Sequence, residues 1–189
     1  MNKAVFIDRD GTINEEVDYL KHADDLNVFP YAIEALQILK NKGFKNIIIT
    51  NQSGIARGFF TEEDLKLIHE KLLGITNKIT PLIDGIYYSP YHTEGTIEEY
   101  KIESDLRKPR IGMVLKAREE HSIDLNSSFF IGDTYTDMKT AQNAGLKKIL
   151  VLTGYGARDL QKCLDENIQL DFIAADLLDA SNHINNLPN

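Results

Sequence analysis

The chain has 189 residues, 42% apolar and 26% charged, with a net charge of −8. These values describe one soluble globular domain over residues 1–189 and exclude a general nucleic-acid binder, which needs a basic footprint. No apolar run nears the ~20 residues of a membrane span, and the lone Cys163 can close neither an intramolecular disulfide nor a multi-cysteine zinc site, so the expectation is a cytoplasmic monomer with no membrane partner.

In chain order, the first predicted strand is AVFI, residues 4–7, too short for a signal-peptide core and ending on charge. A helix follows over Pro30–Asn41, with Pro30 in its first turn, Ile33, Leu36 and Leu39 as its stripe, and Gly43 beyond its end. NIIIT (46–50) is the second strand. Thr61 then caps a helix running to Asn77, with Glu62, Glu63 and Asp64 in its first turn and Leu65, Ile68, Leu72 and Ile75 in helical spacing. GIYYS (85–89) is the third strand, and the polar stretch 90–110 after it is a long loop insertion, a place where function concentrates. Helices over Gly112–His121 and Thr136–Asn143 flank the strand SFFIG (128–132), and KILVLT (148–153) and DFIAA (171–175) complete the set; Cys163 falls on a helix, where it reads as a small packed residue. Continuous apolar strands alternating with helices predict a doubly wound, mostly parallel α/β sheet covered on both faces.

In such sheets ligands bind beyond the carboxyl ends of the strands. Asp8, Arg9, Asp10, Gly11 and Thr12 follow strand one; Thr50, Asn51, Gln52 and Ser53 end strand two; Arg107 and Lys108 close the long loop; Asp133, Thr134 and Asp137 follow strand four. Carboxylates, a hydroxyl and a lysine at successive strand ends suit phosphoryl transfer through an aspartyl-phosphate. Asp8 is placed to attack, and Asp10 to protonate the leaving oxygen and then activate water. Neighbouring carboxylates and a phosphate need a hard divalent cation, and Mg²⁺ fits, with Asp133 as a further oxygen ligand. Asp137 supports that site or Lys108 from behind, Lys108 supplies fixed positive charge, Thr50 and Asn51 hydrogen-bond the transferring oxygens, and Gly11 opens the backbone to phosphate. With a net charge of −8, a phosphate substrate demands local cations at the site. A calcium-binding loop starting at Asp8 fails, because Ile13 stands where its glycine belongs and Tyr19 where its glutamate does. His22, His69, His92, His121 and His183 are scattered and read as surface or core-edge residues.

The stretches DRDGT (8–12), TNQSGIARG (50–58), RKP (107–109) and GDTYTD (132–137) resemble the four motifs of haloacid-dehalogenase-type phosphatases over nearly the whole chain. TNQSGIARG, DGIYYSPYH and DLRKPRIGM narrow this to the heptose-bisphosphate and histidinol-phosphate phosphatases. The resemblance implies no large cap domain and a small sugar-phosphate substrate, with removal of the 7-phosphate of a heptose 1,7-bisphosphate as the expected reaction and histidinol phosphate as the alternative substrate. It implies Asp8 as nucleophile, Asp10 as acid/base, Mg²⁺ on Asp8, the Asp10 carbonyl and Asp133, and Thr50 and Lys108 on the phosphoryl group. Arg107, Arg9, Gly11, the segment Glu16, Val17, Asp18 and Tyr19, and Asn51, Gln52 and Ser53 form the substrate side, with Thr134 and Asp137 behind. The family's long loop usually carries a zinc on three cysteines and a histidine. Here those positions read Ser89, Tyr91, Ser104 and Leu106, so no zinc is expected, and Tyr91, Ile97, Tyr100, Ile102 and Leu106 are expected to order the loop by packing. A phospho-acceptor signalling module shares some of these residues, but Asp10 argues against a long-lived phospho-aspartate.

Overall fold

The computed structural model describes residues 1–188. Six strands, β1 (Lys3–Ile7), β2 (Phe44–Asn51), β3 (Gly85–Ser89), β4 (Phe129–Gly132), β5 (Lys147–Val151) and β6 (Phe172–Ala174), form one sheet in the order β3-β2-β1-β4-β5-β6. Every pairing is parallel. The order reverses at β1, so the crevice between the carboxyl ends of β1 and β4 is the switch point of the sheet.

The helices are α1 (Ala32–Asn41), α2 (Glu62–Thr76), α3 (Gly112–His121), α4 (Tyr135–Ala144), α5 (Gly156–Asp165) and α6 (Leu177–Asn186). Successive strand residues point to opposite faces, and both faces are covered. Val5, Ile7, Ile48, Ile131 and Val151 meet Leu36 and Leu39 of α1, Ile68 and Leu72 of α2, and Leu177 and Ile184 of α6. Phe6, Ile47, Ile49, Phe130 and Leu150 meet Val114 of α3, Met138 of α4 and Cys163 of α5 on the other side. Cys163 is fully buried, and burial first pushes its thiol up to about 11, so it is a packing residue.

All six expected strands are present. Pro30 lies outside α1, one residue before its N-cap Tyr31, and Ile33 faces solvent at 44% exposure while Ala32, Ala35, Leu36 and Leu39 turn inward. Thr61 caps α2 as expected and forms a reciprocal capping box with Asp64. No expected element covers α6, although Asp176 before Leu177 is an N-cap whose carboxylate accepts from the Asp179 amide. Among the described residues no helix is long and apolar enough to cross a membrane.

Candidate active site

The turn after β1 places the first carboxylates. Pairing of β1 with β4 continues through Asp8, whose amide donates to the Ile131 carbonyl (2.9 Å), setting Asp8 beside the end of β4. Gly11 takes φ 76°, and a Cβ there would fall on the Asp133 carboxylate, as would one on Gly154 (φ 53°) from the other side. Two glycines thus cradle Asp133, so Gly11 makes room for a carboxylate. Asp133 Oδ2 accepts from the Tyr155 amide (2.8 Å), and its buried Oδ1 has no hydrogen-bond partner. Gly154→Ala is therefore expected to displace Asp133 and raise the Mg²⁺ concentration for half-maximal activity about 10- to 100-fold. A Mg²⁺ titration of turnover checks it.

Lys108 is buried, with Nζ 2.8 Å from Asp8 Oδ1, 2.6 Å from Asp137 Oδ1 and 2.9 Å from the Ile49 carbonyl. Its three donors are all used. Asn51 clamps the Lys108 backbone on both sides, its Oδ1 accepting from the Lys108 amide (3.0 Å) and its Nδ2 donating to the Lys108 carbonyl (3.2 Å). Asn51 thus fixes the Lys108 backbone from the wall of the cleft. Asp137 Oδ2 closes a capping box with Thr134 at the start of α4, so one residue fixes both the helix and the lysine.

Asp10 is held from three sides. Arg9 Nη2 donates to both of its oxygens (2.9 and 2.8 Å) and Nε to Oδ1 (3.1 Å), while Asn14 Nδ2 (3.0 Å) and Gln52 Nε2 (2.9 Å) add one bond each. Gln52 Nε2 also reaches Thr50 Oγ1 (2.8 Å). Arg9, expected on the substrate side, is fully buried and faces Asp10 and His69. Burial acts to raise the Asp10 carboxyl, but Arg9, Asn14 and Gln52 outweigh it and hold it below the usual range.

The other carboxylates go the opposite way. Burial, then Asp137, pushes Asp8 up to about 7 against the opposing Lys108, and burial with Asp8 and Asp137 pushes Asp133 up to about 9. Burial would depress Lys108, yet Asp137 and Asp8 raise it, so it stays charged. One oxygen from each of Asp8, Asp133 and Asp137 lies within 4.8 Å of the others, and Lys108 contacts Asp8 and Asp137. An all-oxygen, crowded, electron-rich donor set with one orphaned buried oxygen fits a hard divalent cation.

Asp8, Asp10 and Lys108 open onto a cleft of about 300 Å³, while Asp133 and Asp137 lie fully buried behind its lining. Of the residues singled out in the sequence, Asp8, Asp10, Glu16, Asp18, Tyr19, Thr50, Asn51, Gln52, Ser53 and Lys108 line it, and so does Thr134, which was expected behind the site. Val17 does not; it is 45% exposed and borders a neighbouring hollow with Phe29 and Gly154. Arg107 does not line it either, and its Nη1 donates to the Tyr91 carbonyl (3.2 Å). Lys108 is the one cation in the lining, while burial, with Asp10 and Asp8, pushes Glu16 up to about 7. Tyr155, Leu20, Gly54 and Thr136 also line the cleft and were not expected there. Tyr155 follows β5, one more strand end, and its hydroxyl donates to Asp18 (3.2 Å), which sits in the left-handed region at φ 51°.

His69, expected at the surface or core edge, is buried on α2 against Arg9. Burial first, then Arg9, pushes its ring down to about 3 from 6.5, against Asp10. The unfolded chain protonates this ring below about pH 6.5 while the folded chain does not, so its stability contribution is complete above that pH and is lost as pH falls towards 3. Urea unfolding is expected to show a pH slope steeper by about 1.4 kcal/mol per unit below pH 6 in the native chain than in His69→Phe.

The long loop between β3 and α3 is fastened mainly by backbone bonds. The Ala56 carbonyl accepts from the amides of Thr96 (2.7 Å) and Ile97 (3.0 Å), the His92 amide donates to the Tyr100 carbonyl (3.1 Å), and Ser104 Oγ accepts from the Leu106 amide (3.2 Å). Leu106 packs on the core, and the Tyr91 and Tyr100 rings lie 6.1 Å apart. Ile97 and Ile102, expected to help order it, are 41% and 47% exposed.

Residues 105–180 match the model of the HAD-hydrolase-like family. The chain is 45% identical over 152 residues to the D-glycero-beta-D-manno-heptose-1,7-bisphosphate 7-phosphatase of Photorhabdus laumondii, covering 80% of this chain and 81% of that one. The enzyme of the same name from Escherichia coli K12 is 41% identical over 152 residues, 80% of each chain. A crystal structure of D,D-heptose 1,7-bisphosphate phosphatase from B. bronchiseptica, complexed with magnesium and phosphate, superposes with a TM-score of 0.84 at 27% identity, covering 96% of this chain and 97% of that one. With these identities over four-fifths of its length, the chain belongs to the heptose-bisphosphate phosphatase family of haloacid-dehalogenase-like hydrolases.

Proposed function

We propose that this chain removes the 7-phosphate of D-glycero-beta-D-manno-heptose 1,7-bisphosphate through an aspartyl-phosphate on Asp8. The observation that carries the reading is Asp8 itself: a nearly buried carboxylate on the cleft floor whose Oδ1 is taken by Lys108 Nζ (2.8 Å) and the Arg9 amide (2.8 Å). Those contacts leave Oδ2 to attack phosphorus. Lys108 holds the nucleophile and places positive charge where the phosphoryl oxygens gather. The Thr50 hydroxyl, buried in the lining and already accepting from Gln52, donates to a phosphoryl oxygen. Asp10, ionised in the free site, takes up a proton that arrives with the phosphate monoester, passes it to the leaving sugar oxygen, and then takes one from the water that cleaves the acyl phosphate. Asp8, the Asp10 carbonyl and Asp133 would hold Mg²⁺, which when bound offsets negative charge on the carboxylates and the phosphoryl group. Bonds to the Ala56 and Tyr91 carbonyls help to hold residues 90–110.

The acidic rim made by Glu16 and Asp18 favours a second reading, because it would receive the ammonium of histidinol phosphate better than a second phosphate. Comparing kcat/KM on the heptose bisphosphate, histidinol phosphate and simple hexose phosphates in Mg²⁺ tests both. The primary reading expects the heptose bisphosphate to lead by at least about 10-fold. A lead for histidinol phosphate replaces it with the second.

A further inference from the structure

We propose that His69 is a positioning residue for Asp10, acting through Arg9. The inference rests on Asp10 being the acid/base of the reaction. Arg9 is the largest fully buried side chain, and three of its four side-chain bonds go to Asp10. The fourth joins Nη1 to His69 Nε2 at 3.1 Å. A guanidinium only donates, so Nε2 accepts and the ring is neutral with its proton on Nδ1. His69 is fixed in turn, since α2 holds its backbone and the Tyr88 ring lies 5.9 Å away.

The planar fork of Arg9 dictates the plane of the Asp10 carboxylate. What sets the rotation of the fork is the bond at its far corner. Without the His69 acceptor an N–H of a buried guanidinium is left unpaired, and the fork must turn to find another. Asn14 and Gln52 each add one bond, to opposite oxygens of Asp10, against the three from Arg9. His69 therefore bears on proton delivery to the leaving oxygen, at a site where it touches neither substrate nor the attacking carboxylate.

Single-turnover rates with enzyme in excess test this, because a first-order rate is insensitive to any misfolded fraction. The probes are p-nitrophenyl phosphate, whose leaving group departs unprotonated, and the heptose bisphosphate, whose alkoxide needs the proton. Asp10→Asn, the control for the acid role, is expected to slow sugar release far more than nitrophenolate release. His69→Phe keeps the ring and removes the acceptor. It is expected to slow sugar release at least about 10-fold, with nitrophenolate release and KM both within about twofold of the native chain. His69→Gln, which restores an acceptor, is expected to return sugar release to within about threefold of the native rate. Equal slowing of both substrates in His69→Phe, or no recovery in His69→Gln, overturns the proposal while leaving Asp10 in its role. Equal slowing of both in Asp10→Asn overturns the acid role and the proposal with it.

Discussion

Asp8→Asn is expected to lower kcat on a sugar phosphate at least about 10⁴-fold, with the fold intact. The amide has the shape of the carboxylate and can still accept from Lys108 and the Arg9 amide at Oδ1, so the local bonds survive. What it lacks is a nucleophilic oxygen. Nor does the substitution weaken the core. Asp8 is crowded by the Asp133 and Asp137 carboxylates, and Asp137 still pairs with Lys108 when Asp8 is neutral, so removing one negative charge relieves that crowding. Steady-state turnover with Mg²⁺, paired with urea unfolding in EDTA, separates the two effects. Activity should vanish while the unfolding midpoint stays level or rises. A large loss of stability would mean that Asp8 is chiefly a structural partner of Lys108.

Lys108→Met is expected to fail on both counts. The ammonium is buried between Asp8, Asp137 and the Ile49 carbonyl, and the thioether replaces none of those bonds. Breaking a buried ion pair by removing one partner costs roughly 3–5 kcal/mol, because the other charge remains without water or counter-charge. kcat should fall about 10²- to 10³-fold, the scale of losing one preorganised charge at the transferring group. Adding Asp137→Asn to Lys108→Met should recover a substantial part of the stability and none of the rate. Denaturant unfolding and turnover of the two single variants and the double variant check this. Recovery of the rate along with the stability would place the role of Lys108 in folding alone.

Much of this arrangement is legible in the sequence, for a physical reason. A parallel sheet buried on both faces leaves unbroken apolar runs, and its ligands gather where those runs end, so Asp8, Asp10, Thr50, Lys108 and Asp133 stand out by position. Side-chain direction is another matter. Arg9 sits between two aspartates and reads as a substrate contact, yet it turns into the core, and nothing local in the sequence decides that. Asn51 grips a backbone 57 residues away. His69 was within reach: it lies four residues after Leu65 and three before Leu72, on the buried stripe of α2, so a helical count marks it as an inward polar group needing a partner. Tyr155 and Gly154 were within reach as well, because they follow β5 as Asp133 follows β4. The order in residues 90–110 was not, since it depends on backbone bonds to Ala56 that carry no side-chain signature.

The central claim is that phosphate passes through Asp8. The direct measurement is to mix enzyme, Mg²⁺ and the heptose bisphosphate, quench in acid within a single turnover, and map phosphate onto peptides by mass spectrometry. Phosphate on Asp8, absent in Asp8→Asn and accumulating in Asp10→Asn when an aryl phosphate is the substrate, is the predicted result. Phosphate on another side chain, or turnover by Asp8→Asn with no labelled peptide, would contradict it.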